Sequence, residues 1–248
     1  MTKNFISLTK DEQVSALADA MYSSSVNAAI DSINKIEISF DEFPDIFVRL
    51  LGESLAAQIL IFSSFIENKL FELIKLRLFD LKSKSEERRM FAGNGPFSNF
   101  EGRIFLSYHL GWLTSNQAKK LNAFRKMRNE FAHNAFKTNF EDPKIQGFIK
   151  SMDYDLEEYL RPARSKLIED GSDLFLKKED ISIEREFLAN LSILAYKTFL
   201  DYLVLPAALE HRVSPNDIAG VDFDAQPIVT KEIIRKHSKV LLVLLGKN

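Results

Sequence analysis

The chain has 248 residues, with 33 Lys and Arg against 35 Asp and Glu, a formal charge of −2, and 46% apolar residues. That apolar share supports a sizeable core and excludes a disordered tail, and 9 Gly and 7 Pro exclude a fibrous or low-complexity chain. The charge balance excludes a protein that coats DNA by bulk cationic charge but leaves room for a small basic site.

Cysteine is absent, which removes disulfides, thiolate metal sites and cysteine nucleophiles and permits a reducing compartment. The opening Met1-Thr2-Lys3-Asn4-Phe5-Ile6-Ser7 lacks the apolar run of a secretory signal. The apolar stretches Leu55–Ile66 and Val240–Leu245 fall short of the roughly 18 residues that a membrane span needs. The expectation is a cytoplasmic protein without membrane contact. The 21 Phe imply aromatic core or interface.

In chain order, the segment before residue 47 is acidic, and Thr9-Lys10-Asp11-Glu12 reads as a capping box that starts a helix. Ser23–Asn27 is a candidate interruption, and Pro44 a boundary. From Phe47 to Lys82 the pattern is helical, with Leu55, Ile59, Phe62 and Ile66 in one row, continued by Leu70, Leu73, Ile74, Leu78 and Leu81. Its first half is apolar on nearly every side, which predicts the central buried helix.

Gly93-Asn94-Gly95-Pro96 breaks the chain, and a helix follows from Phe100 to about Leu110. Thr114-Ser115-Asn116 supplies cap chemistry for the next, which carries Leu121, Phe124, Met127 and Phe131 as an amphipathic stripe. Asp142-Pro143 starts a short helix. Arg161–Asp180 reads as a polar linker or hairpin, Ile181–Leu205 as a long helix, and Pro206 and Pro215 as punctuation. Ile228–Leu245 is amphipathic, and the helical reading of Val240–Leu245 is better supported than a short strand. Period-two alternation is almost absent, so the fold class is all-α, a multi-helix bundle.

Chemistry concentrates in one place. The chain has no HExxH, no GxSxG, no GxxxxGK[ST] and no GxGxxG, so neither a metal nor another cofactor is expected. Arg125-Lys126-Met127-Arg128-Asn129-Glu130-Phe131-Ala132-His133 is the one dense polar cluster. Arg125, Asn129 and His133 share a helix face, with Arg128 about 100° round from Asn129. Two guanidiniums, an amide and an imidazole can hold a phosphate and exchange a proton near neutral pH. Ser115–Lys137 holds Lys119, Lys120, Arg125, Lys126, Arg128 and Lys137 against Glu130 alone. A solvated helix face or an ion-pair network accounts for the same residues equally well. Arg103, one helix earlier, either joins the basic site or pairs with Glu67 or Glu72. Glu53, at the start of an apolar helix, calls for a cationic partner such as Arg125 or Arg128, and the expected structural ion pair is Glu53–Arg128.

Gly95-Pro96, Phe100, Arg103, Tyr108-His109-Leu110-Gly111-Trp112-Leu113, Leu121 and Arg125–His133, with Glu53-Ser54 before and Phe140–Pro143 after, resemble the mannitol operon repressor family over about Gly52–Ile149. The resemblance implies an all-helical bundle that regulates a sugar-alcohol operon. The chain shows no helix-turn-helix whose second helix reads bases from its start, so action through a protein partner, or through RNA or DNA at the Ser115–Lys137 helix, is expected. Contacting residues would be Arg103, Lys119, Lys120, Arg125 and Lys126.

Arg128-Asn129-Glu130-Phe131-Ala132-His133 also resembles the Arg-polar-x-x-x-His signature of HEPN domains, which are helical, usually dimeric, and in many cases metal-independent ribonucleases. That resemblance casts His133 as general acid/base, Arg128 as stabiliser of phosphorane charge and Asn129 as orienting group. It also implies a homodimer. The resulting division is an acidic helical segment 1–46, a repressor-like or HEPN-like helical core 47–165, and a helical extension 166–248 packed on the core.

Overall fold

A computed structural model describes residues 5–78, 83–134, 139–169, 181–220 and 222–246. They form eleven α-helices and no strand among the described residues. The helices are α1 (Lys10–Asn34), α2 (Glu42–Leu50), α3 (Leu55–Arg77), α4 (Lys84–Phe91), α5 (Phe100–His109), α6 (Ser115–Asn134), α7 (Pro143–Met152), α8 (Leu156–Glu169), α9 (Ile183–His211), α10 (Pro215–Ala219) and α11 (Ile228–Leu244).

The central helix is α9 rather than α3. Every residue from Phe187 to Ala195 is buried, so no side of these turns faces water. Helices α1, α2, α6, α7, α8, α10 and α11 all pack against α9. Among the described residues α9 alone is long and apolar enough to cross a membrane, yet 72% of its apolar window is buried within the protein. Helix α3 packs on α2, α5 and α6 and leaves Leu60, Ile61 and Leu76 exposed. All-round apolarity marks a helix enclosed by others, and in α3 the stripe is wide but one-sided.

The helix expected over 47–82 is broken. Helix α2 begins before Pro44 and ends at Leu50, Gly52 turns the chain with φ +82°, and Ser54 caps α3 through Ala57 N–H. The buried Gln58 amide locks this corner by donating to Leu50 O and Glu53 O, and to Glu184 at the start of α9 at 2.7 Å. Pro44 therefore lies inside a helix near its start, where its missing N–H costs no bond. Ser23–Asn27 does not interrupt α1, whose Thr9–Glu12 capping box is formed. Pro206 lies within α9 and Pro162 within α8, so neither ends its helix. Of the expected 161–180 linker, the part up to Glu169 is helix and 170–180 lies outside the described residues, as do Leu81 and Lys137. Val240–Leu244 is helical.

One continuous core runs from Ala29 and Phe43 through Phe62, Phe124 and Phe131 to Phe199 and Leu244. The aromatic excess is largely spent here. Phe43 lies 5.5 Å from Phe47 and 5.9 Å from Phe199, and Phe62 meets Phe124 edge-on at 5.2 Å. Segments near the chain's two ends also meet at the edge of this core: Ser32 Oγ lies 3.1 Å from His211 Nε2, and Ile228 N–H donates to Asn34 Oδ1 at 2.9 Å.

His237 of α11 is buried between Tyr196, stacked on it at 4.4 Å, Tyr159 and Phe43, with Ser192 Oγ at 3.4 Å. Burial, with a smaller push from Lys197, lowers its pKa to about 3. Because the folded value lies below the ordinary 6.5, the unfolded chain takes up this proton first. Stability is therefore lost as pH falls below 6.5 and goes on falling toward 3, by at most about 1.4 kcal/mol per pH unit from this group. His237→Phe should flatten the drop in melting temperature between pH 7 and 4.5 relative to wild type; identical slopes would show that His237 carries none of it.

Candidate functional site

Helices α3, α5 and α6 meet at Glu67. Its Oε1 lies 3.5 Å from Arg103 Nη1 and its Oε2 3.0 Å from Arg128 Nη1. Arg103 also donates to Phe97 O at 2.9 Å and to Glu67 O at 3.1 Å, and its guanidinium lies 5.3 Å from the centre of the Phe71 ring. Arg128 reaches Ser63 Oγ at 3.3 Å. One carboxylate therefore binds two guanidiniums, each from a different helix, and the group carries a net charge of +1. Its parts are largely withdrawn from water: the side chains are 23% exposed for Glu67, 10% for Arg103 and 33% for Arg128.

This arrangement corrects the expected Glu53–Arg128 pair. Glu53 is exposed in the turn before α3, where water solvates its charge and no buried cation is required. Fourteen residues further on, within α3, Glu67 lies alongside α6 and takes Arg128 instead. Glu67 is the one acid between Leu55 and Leu70, which is the signal that marks it as the carboxylate needing a cation.

The other cations of α6 separate into two groups. Arg125 pairs with Glu101 of α5 at 3.1 Å and donates to Asn122 Oδ1. Lys120 is buried, not available to a nucleic acid. Its ammonium donates to Met152 O at 3.1 Å and Asp153 O at 2.6 Å and lies 3.9 Å from the centre of the Tyr154 ring. There it closes the C-terminus of α7, where a cation is favoured, and burial lowers its pKa from the usual lysine value. Tyr154 in turn donates to Gln117 Oε1 at 2.6 Å, and its N–H is held by Asn190 of α9. Glu130 pairs with Lys144. In contrast, Lys119, Lys126, Asn129 and His133 are exposed and form no ion pair or hydrogen bond among the described residues.

The structure thus brings Arg103 and Arg128 together and leaves Asn129 and His133 apart from them. Five residues of helix put His133 about 140° round from Arg128, so one side chain turns to α3 while the other faces water. Sequence reasoning missed Glu101, Ser63 and the carbonyls that hold Lys120, because these partners are 24 to 65 residues away or are backbone atoms.

Glu67→Gln should cost about 2 kcal/mol in urea unfolding, because two partly buried guanidiniums lose their counter-charge together. Arg128→Met should cost less, since its aliphatic replacement leaves Glu67 with Arg103; equal costs would show that the two pairs are not shared through one carboxylate. No family model, curated protein or solved structure matches this chain.

Proposed function

We propose that this protein is a cytoplasmic regulator of the mannitol operon repressor kind, acting on transcription of a carbohydrate or polyol operon through macromolecular contacts rather than through catalysis. The resemblance over Gly52–Ile149 suggests this reading, and the observation that favours it over a nuclease is Glu67, which holds Arg128 and Arg103 in one inter-helix junction. A guanidinium held by Glu67 and Ser63 on a neighbouring helix, about 140° round from His133, is poorly placed to stabilise phosphorane charge beside that imidazole, which favours a joining role for the Arg128 of the HEPN-like motif. Other residues of the resemblance are also structural joints. Gly111 turns with φ +72° close to Leu209 of α9, and Trp112 packs on Tyr202 at 5.8 Å.

The second reading, a metal-independent endoribonuclease, draws its support from the exposed Asn129 and His133 at the end of α6. The two readings separate genetically. Deleting the gene should derepress a carbohydrate-uptake operon, and wild type and His133→Ala should restore repression equally. Unchanged transcript levels on deletion would overturn the regulatory reading, and restoration that requires His133 would favour the nuclease. In vitro, the purified chain should leave RNA intact in EDTA; cleavage by wild type that His133→Ala abolishes would overturn the proposal. Any binding to duplex DNA should be weak and fall steeply with salt.

A further inference from the structure

Helix α8 is held to the rest of the protein along one short edge. Leu156, Tyr159 and Leu160 are half-buried against α9, the one helix it packs along, while Glu157, Glu158, Arg161, Pro162, Ala163 and Ser165 are exposed. The spacing of three and four makes a one-sided stripe, and it stops early, because Ala163 in the same row already faces water. Pro162 lacks the N–H that would close a turn on Glu158 O, so the helix is weak just past its last contact. Its N-terminal side is firm. Lys120 holds Met152 O and Asp153 O, Tyr154 N–H donates to Asn190 Oδ1, and Asp155 Oδ1 caps the first turn through Glu158 N–H at 3.1 Å. The helix is thus fixed at Asp153–Asp155 and fastened beyond that point by three side chains.

Beneath it lies the imidazole of His237. Tyr196 stacks on the ring at 4.4 Å, Phe43 lies 6.3 Å away, and the Tyr159 ring of α8 meets it edge-on at 5.9 Å. Ser192 Oγ donates its own proton to Ala189 O at 2.9 Å, so toward His237 Nε2 it can only accept. The ring therefore has one acceptor and, among the described residues, no carboxylate in ion-pair contact. A neutral imidazole with one N–H fits this box, and an imidazolium with two N–H groups and a charge does not. The charged group that bears on it is Lys197, a cation 5.9 Å from the Tyr196 ring and 5.7 Å from the Tyr159 ring, which repels a second positive charge.

We propose that α8 is an acid-released strap, which swings out about Asp153–Asp155, uncovers the Tyr196–His237 stack and is held open when His237 takes up a proton. In the closed state burial lowers the imidazole pKa to about 3, and in the open state it returns to the ordinary 6.5. Between these values only the open state binds the proton. Opening therefore gains up to about tenfold per pH unit below 6.5, and about thirtyfold from pH 7.5 to pH 5.0. Other groups around the ring add nothing of the same sign. Tyr159 and Tyr196 stay neutral, since burial raises both, α2 presents Phe43, and its Asp41 is paired with Lys236 of α11. Asp201, one turn past Lys197 and bonded to Thr114, acts in the opposite direction: burial raises its carboxyl pKa, so acid favours the closed state through it. This inference goes beyond the regulatory reading and is independent of it.

Hydrogen exchange of the full chain at pH 7.5 and pH 5.0, read by mass spectrometry and corrected for intrinsic rates, tests it. Amides of Leu156–Ala163 should be less protected than those of Phe187–Ala195 at both pH values, and should lose a further factor of about thirty at pH 5.0. His237→Phe should remove that acid-dependent loss. Tyr159→Ala should lower α8 protection already at pH 7.5 and leave α9 protection unchanged. Amides of α8 as protected as those of α9, α8 protection equal at the two pH values, or an acid-dependent loss that persists in His237→Phe would each overturn the inference.

Discussion

A helix that is apolar on every side must be covered on every side, and α9 imposes that requirement on the rest of the molecule. Its Phe187–Ala195 turns have no face that water can solvate, so neighbours from both ends of the sequence surround them. Leaving any one face open would expose several large side chains at about 1.5–3 kcal/mol each. The arrangement of α1, α2, α6 and α11 is the consequence, and the segments on either side of residues 47–165 join the same core rather than forming separate bodies. The Gln58–Glu184 bond and the Thr114–Asp201 bond then fix the α2–α3 corner and the start of α6 against α9.

Electrostatics in this protein serve assembly more than recognition. A basic run on α6 reads as a phosphate site when the helix is considered alone. In three dimensions Arg125 faces Glu101, Arg128 faces Glu67, and Lys120 faces two carbonyls. Each cation that turns inward meets an acceptor from another helix, which offsets the desolvation that burial imposes. Among the described residues of α6, Lys119 and Lys126 point outward without an ion pair, and the Arg103–Glu67–Arg128 group adds one net positive charge beside them.

The features that depend on neighbours in sequence were legible in the chain. The Thr9–Glu12 capping box, the α6 stripe of Leu121, Phe124, Met127 and Phe131, the Asp142-Pro143 helix start and the all-α class follow from local propensity and period. Tertiary choices were not. Nothing local distinguishes α3 from α9 as the central helix, because both are richly apolar and the answer lies in how many neighbours enclose each. The break at Gly52 was hidden because one glycine between two apolar runs carries little signal unless its φ is known. At the site, Glu67 was legible only as one of two acids open to Arg103, and its choice of Arg128 depends on where α3 and α6 cross. Lys120 was misread because a backbone carbonyl leaves no mark in the sequence.

The meeting of the two ends has a consequence for how the chain is made. Asp41 pairs with Lys236, and Phe40 and Phe43 pack on Phe199, so the N-terminal aromatic cluster is covered by residues about 155 to 195 positions later. A ribosome adding 5–20 residues per second takes roughly 10–40 s to supply Lys236 after Asp41 has emerged. Throughout that interval Phe43 and Phe47 can meet Phe65 and Phe62 of α3, but the cover that α11 adds to this cluster is missing. A truncation that removes α11 therefore leaves the α2 aromatics on α3 and α9 but without their last wall.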